Sequence, residues 1–115
     1  MRLLTINTGS SSVRLVLYAH DGVTFQRLVT CIEPGDADPG TSLHALRDWE
    51  QVDVVAHRVV HGGDTLVAPC VLDARVEAEI ERLAPLAPLH NPRALAWMRA
   101  CRALHGAQLP QVAMF

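Results

Sequence analysis

At 115 residues, half of them hydrophobic and with a net charge of −2, the chain is long enough for one domain around a single core, covering residues 1–115. Its basic residues are scattered rather than gathered into a stripe, which excludes a nucleic-acid partner, and no apolar run approaches the ~20 residues of a membrane span. All ten basic residues are Arg, so Lys Schiff-base chemistry is excluded and any phosphate contact falls to guanidinium groups, hydroxyls or main-chain amides.

Met1-Arg2 leads directly into strand-like sequence rather than a signal peptide, so a cytoplasmic protein with no membrane partner is expected. Arg2 to Ile6 reads as a first, largely buried strand. Asn7-Thr8-Gly9-Ser10-Ser11-Ser12 follows, a cluster of small and hydroxyl residues with two readings: a phosphate loop, or an ordinary hairpin turn. Val13, Leu15 and Leu17 alternate with Arg14, Val16 and Tyr18 as a second strand, Asp21-Gly22 supplies a turn, and Val23 to Ile32 forms a third. The chain thus opens with a β-meander. Glu33 to Gly40 is a polar loop, and Thr41 or Ser42 caps a short helix carrying Leu43, Leu46 and Trp49.

Val52 to Val60 is the next buried strand, ending in His61-Gly62-Gly63, where the backbone can bend and be approached closely. His57 and His61 have the i,i+4 spacing of a helical zinc site, but Val54, Val55, Val59 and Val60 favour a strand. Along a strand the two stand about 13 Å apart, too far for one ion to be held directly by both. Asp73 caps a helix with Val76, Ile80 and Leu83 on one face, stopped by Pro85 and Pro88. Asn91-Pro92 starts the last helix, whose stripe is Leu95, Met98, Cys101 and Leu104, and Gly106 ends it before an apolar strand from Val112 to Phe115. Cys31, Cys70 and Cys101, odd in number and without a Cys-x-x-Cys pair, are expected to be reduced and mostly buried. The order of elements predicts an α/β layer fold with a mixed sheet.

Three segments taken together, Ile6 to Ser12, His57-Arg58-Val59-Val60-His61-Gly62-Gly63 and Ala87-Pro88-Leu89-His90-Asn91-Pro92, resemble the acetate kinase family in order and wording. The resemblance implies the N-terminal portion of a ribonuclease H-like, actin-like ATPase fold, and Mg2+-dependent, reversible transfer of the γ-phosphoryl group of ATP to acetate. It implies Asn7 at the magnesium site, and Ser10 and Ser12 near the phosphates. Arg58 would bind acetate or the transferring phosphoryl group, Val60 and Leu89 would line the small acyl pocket, and His90 would stand by to hydrogen-bond a phosphoryl oxygen. His57 and His61, placed opposite Arg58 by strand alternation, are structural or orienting residues. The intact family is implied to be homodimeric. A propionate kinase fragment and a non-catalytic acetate- or phosphate-binding remnant are the alternatives.

The sequence departs from that pattern in three places. Arg14 stands where the family has Lys, so it enters as an ATP-site residue of altered geometry. The segment from Glu33 to Trp49 is short for the family. By resemblance the catalytic Asp, and the His and Arg that stabilise the transition state, lie after Phe115. The catalytic group is therefore expected outside this chain, in a C-terminal portion that could be a separate polypeptide.

Overall fold

The computed structural model describes residues 1–46, 51–59, 62, 63, 66 and 68–115. Alternation writes its first three strands: β1 (Arg2–Thr8), β2 (Ser12–His20) and β3 (Phe25–Pro34) form an antiparallel meander. Leu4, Ile6, Val13, Leu15 and Leu17 point to one face and are buried there, because residues two apart on a strand share a side. β4 (Val54–Arg58) joins β1 in parallel, β6 (Gln111–Met114) joins β4 in parallel, and the two-residue β5 (Cys70–Val71) closes that edge. The sheet order is β3-β2-β1-β4-β6-β5, a mixed sheet as expected. β5 has no apolar alternation in the sequence and is identified only by its pairing. At the other edge β3 is exposed along most of its length and carries an irregularity opposite Leu17 and Tyr18.

Three helices cover one face of this sheet: α1 (Pro39–Ala45), α2 (Ala74–Arg82) and α3 (His90–His105). Leu43 of α1 and Trp97 and Cys101 of α3 pack on the inward residues of β1, β2 and β4. Val76 and Ile80 of α2 meet Leu95 and Met98 of α3 in a second cluster. A further tie joins these helices, since Arg102 pairs with the nearly buried Glu77 carboxylate. Among the described residues no helix is long and apolar enough to cross a membrane.

Two of the expected helix starts differ from the structure. Asp38, not Thr41 or Ser42, caps α1: its Oδ2 accepts from the Thr41 amide at 2.9 Å and the Thr41 hydroxyl at 2.8 Å. Pro39 at the first helical position makes Asp38 the residue where a cap must stand. Asp73 does cap α2, with Oδ1 2.8 Å from the Val76 amide. Asn91 is no cap. Leu89 precedes α3 without a side-chain bond, and Asn91 sits fully buried in the first turn, where its Nδ2 donates to the Ile80 carbonyl at 3.3 Å. The amide is committed to a carbonyl in the last turn of α2, which fixes the angle between the two helices. The thiols are also less buried than expected: Cys101 is fully enclosed, and burial pushes its thiol up to about 12, whereas Cys31 and Cys70 are half-buried.

α3 runs antiparallel to β1 and β4. Its first turn reaches the end of β1 through Arg93, whose Nη1 donates to the Ser10 carbonyl, and its middle reaches the start of β6, where Gln111 Nε2 donates to the Met98 carbonyl. The start of α3 therefore lies at the C-terminal ends of the parallel strands. In open α/β sheets that end is where ligands bind.

Gly62 shows how tightly the chain is folded just beyond β4. A Cβ there would stand 2.0 Å from the Leu66 carbonyl oxygen and 2.7 Å from the Phe115 ring, which no side-chain rotation relieves. Gly40 in α1 is different, with its nearest neighbour 3.5 Å away. Gly62→Ala is expected to cost at least the ~1–3 kcal/mol typical of overpacking, and Gly40→Ala to be neutral or to stabilise by up to about 1 kcal/mol. Urea unfolding of the two variants beside the parent checks the contrast.

Candidate functional site: a row of cations across the sheet

Register assembles the site. Arg14 is paired with Asn7 across the β1–β2 ladder, and Asn7 with Arg58 across the β1–β4 ladder, so three exposed polar residues stand side by side on adjacent strands. They occupy the face opposite the helices. At ~4.8 Å between strands the two Arg backbones are on the order of 10 Å apart, close enough for both guanidinium groups to reach one polyanion. Among the described residues neither Arg14 nor Arg58 forms an ion pair. Two unpaired guanidinium groups flanking an amide favour an anionic ligand.

Beside Arg58 a cleft of about 310 Å3 opens against Ala56, Met114 and Phe115, with Thr5 and Asn7 on its other side. Met114 is the neighbour of Arg58 across the β4–β6 ladder. A cation next to a short apolar wall suits a small carboxylate with a short alkyl group. Sequence reading missed Met114 and Phe115 as lining residues, because only the pairing of β6 with β4 places them there; the terminal apolar run was their one signal.

The serine loop is pinned from three sides. Gly9 donates to the Ser12 carbonyl at 2.8 Å, Gly35 to the Ser11 carbonyl at 3.0 Å, and Arg93 Nη1 to the Ser10 carbonyl at 3.1 Å. In a trans peptide the amide N–H points opposite to the preceding carbonyl, so the Ser11 and Ser12 amides turn away from Arg93 and Gly35. Ser10 and Ser11 are exposed and Ser12 is half-buried. The loop is a hairpin connection, and among the described residues its serine hydroxyls form no hydrogen bond.

His57 is buried on the helix side, opposite Arg58 as alternation requires. Gln111 donates through Nε2 to Met98, so its Oε1, an acceptor, faces His57 Nε2 at 2.6 Å and fixes the proton on that nitrogen. Nδ1 is left as a buried acceptor without a partner among the described residues. Desolvation pushes the imidazole pKa down to about 4, so the ring is neutral at pH 7 and works as a fastener between β4, β6 and α3.

The other expected site residues are dispersed. Leu89 and His90 stand at the head of α3, on the helix-bearing side, and do not line the cleft; Leu89 is exposed, and His90 is half-buried with Nδ1 unpartnered among the described residues. Val60 and His61 lie outside the described residues. For magnesium, no group of three His, Cys, Asp or Glu occurs among the described residues. Asn7 offers one hard oxygen between two cations, which fits an ion that arrives already carried by phosphates and not one held by protein carboxylates.

Known proteins resemble this chain in sequence and in fold. A family model described as the acetokinase family matches residues 41–115. An acetate kinase of Streptomyces coelicolor is 36% identical over 146 aligned residues that take in 99% of this chain and 36% of that protein. That alignment is longer than the chain, so the relative carries residues within the matched span that this chain lacks. A Porphyromonas gingivalis acetate kinase structure superposes with a TM-score of 0.77 at 23% identity, covering 99% of this chain and 37% of that one. A propionate kinase from Francisella tularensis also gives 0.77, at 26% identity, with 99% and 36% covered. The chain thus spans little more than a third of the length of these proteins. The fold is the actin-like ATPase fold that the resemblance implied, in part.

The buried imidazole has a measurable consequence. Its folded pKa lies below the 6.5 of an ordinary His, so between about pH 6.5 and pH 4 the unfolded chain binds a proton that the folded one does not. The stabilisation is complete above pH 6.5 and lost as pH falls toward 4, on the order of 3 kcal/mol in all. His105, also shifted down by burial, adds a smaller change of the same sign. Urea midpoints at pH 7 and 4.5 should differ in the parent chain, and His57→Gln should flatten most of that difference.

Proposed function

This chain belongs to the acetokinase family, and from that we propose that residues 1–115 are the N-terminal, phosphate-facing part of an acetate kinase: ATP and acetate give ADP and acetyl phosphate, reversibly and with magnesium. The observation that carries the reading is the row of Arg14, Asn7 and Arg58 beside a small, partly apolar cleft. Phosphoryl transfer is chiefly positioning and charge neutralisation, and such a row provides both. Arg58 binds the acetate carboxylate or the phosphoryl group in transit, with the methyl group against Ala56 and Met114. Arg14 faces the nucleotide phosphates with a planar fork in place of an ammonium point charge. Ser10 and Ser12 orient phosphate oxygens through their hydroxyls, and Asn7 contributes one oxygen ligand to magnesium, which when bound neutralises phosphate charge. By the family resemblance Val60 and Leu89 belong to the acyl side and His90 to a phosphoryl oxygen, with Leu89 and His90 at the head of α3, outside the cleft itself.

The remaining two thirds of the relatives' length supplies the catalytic carboxylate in this reading, either as a continuation or as a second polypeptide. Propionate is the alternative substrate, favoured by the Francisella tularensis neighbour; one methylene in an apolar pocket discriminates by only ~1–3 kcal/mol.

Two measurements test the proposal. Combined with the C-terminal portion of the Streptomyces coelicolor relative, the chain should produce acetyl phosphate, trapped as the hydroxamate; stable association without product would refute kinase competence. Titrated calorimetrically with acetyl phosphate, Arg58→Ala should bind at least tenfold more weakly, the ~1.5–3 kcal/mol of a charge-assisted hydrogen bond. Equal heats in variant and parent would remove Arg58 from the site.

A further inference from the structure

We propose that Arg93 is a positioning residue that sets the shape of the serine loop from the far side of the sheet, an assignment that rests on the phosphate-facing reading of that loop. Arg93 lies in the first turn of α3, and its Nη1 donates to the Ser10 carbonyl across a separation of 83 residues. A guanidinium bond to a main-chain oxygen constrains the loop's backbone itself, not one of its side chains. The space for the guanidinium is made by Gly35, where a Cβ would come within 2.8 Å of Arg93 Nη1. Gly35 in turn donates its amide to the Ser11 carbonyl, so two consecutive loop carbonyls are held by two segments remote in sequence.

The consequence is directional. With Ser10 and Ser11 carbonyls drawn toward Arg93 and Gly35, the next two amides are turned the other way by peptide planarity. A loop of small residues has little side-chain packing to hold that arrangement, and Gly9 adds backbone freedom. Arg93 also shares a helix face with His90, three residues before it, so one turn of α3 carries both the strut to the phosphate loop and the His assigned to a phosphoryl oxygen. The Ser10 carbonyl is thereby tied to the first turn of α3.

The test uses two amides that report on the loop without any ligand. In Arg93→Ala, hydrogen exchange at the Gly9 and Gly35 amides should quicken by about tenfold, the loss of one charge-assisted hydrogen bond, while amides in the middle of α3 keep parent rates and show that the variant is folded. MgATP affinity, measured by calorimetry on the same samples, should fall by a similar factor, and Arg93→Lys should recover part of both. Unchanged exchange at Gly9 and Gly35 overturns the strut. Faster exchange with unchanged MgATP affinity reduces Arg93 to a structural contact and overturns the positioning role. A parent chain that binds no MgATP refutes the phosphate-facing reading instead, whatever the exchange rates show.

Discussion

The lateral register of β1 between β2 and β4 is the constraint from which the rest follows. Leu4, Ile6 and Thr8 enter the core, and the residues between them look out on the other face, so Asn7 emerges between Arg14 and Arg58. A slip of one residue would exchange the two sets and bury Asn7 against Trp97 and Leu43, a cost that the apolar packing of β1 forbids. The hydrophobic pattern of the strand thus aims the polar one. Function here is read from the face that the core leaves over.

Polar groups within the helix-bearing layer fix the helices against that sheet. His57, Gln111 and the Met98 carbonyl form a chain from β4 to β6 to α3, and Asn91 joins α3 to α2. Each bond is buried, so breaking one strands a desolvated partner and costs more than an exposed contact would. Apolar packing alone would let α3 slide along the sheet; these directional bonds fix where its first turn stops. The placement of Leu89, His90 and Arg93 relative to the strand ends depends on that stop.

Much of this was legible in the residues. The meander, the Asp73 cap, the stripe of α3 and the mixed sheet all follow from alternation, helical period and cap chemistry, and His57 lies opposite Arg58 as strand geometry demands. Short-range ambiguity hid the rest. Asn91 has the composition of a cap and the surroundings of a core residue, and only the packing of α2 distinguishes the two. Asp38 was obscured by Thr41 and Ser42, which are equally good caps until Pro39 is given its usual place. Met114 and Phe115 needed the parallel pairing of β6, which sequence adjacency cannot show. Arg93 left no local trace at all, since its partner is 83 residues away.

Building the cation row on strands has an evolutionary corollary. Spacing between Arg14 and Arg58 is set by two inter-strand distances, and those are properties of the hydrogen-bonded backbone that no loop can alter. Connections elsewhere are then free to shorten under drift, and this chain does lack residues that its Streptomyces coelicolor relative carries within the matched span. A spacing set by paired strands is independent of the length of the loops around it. Lineages of this fold can trim their periphery while the ruler at the centre keeps its length.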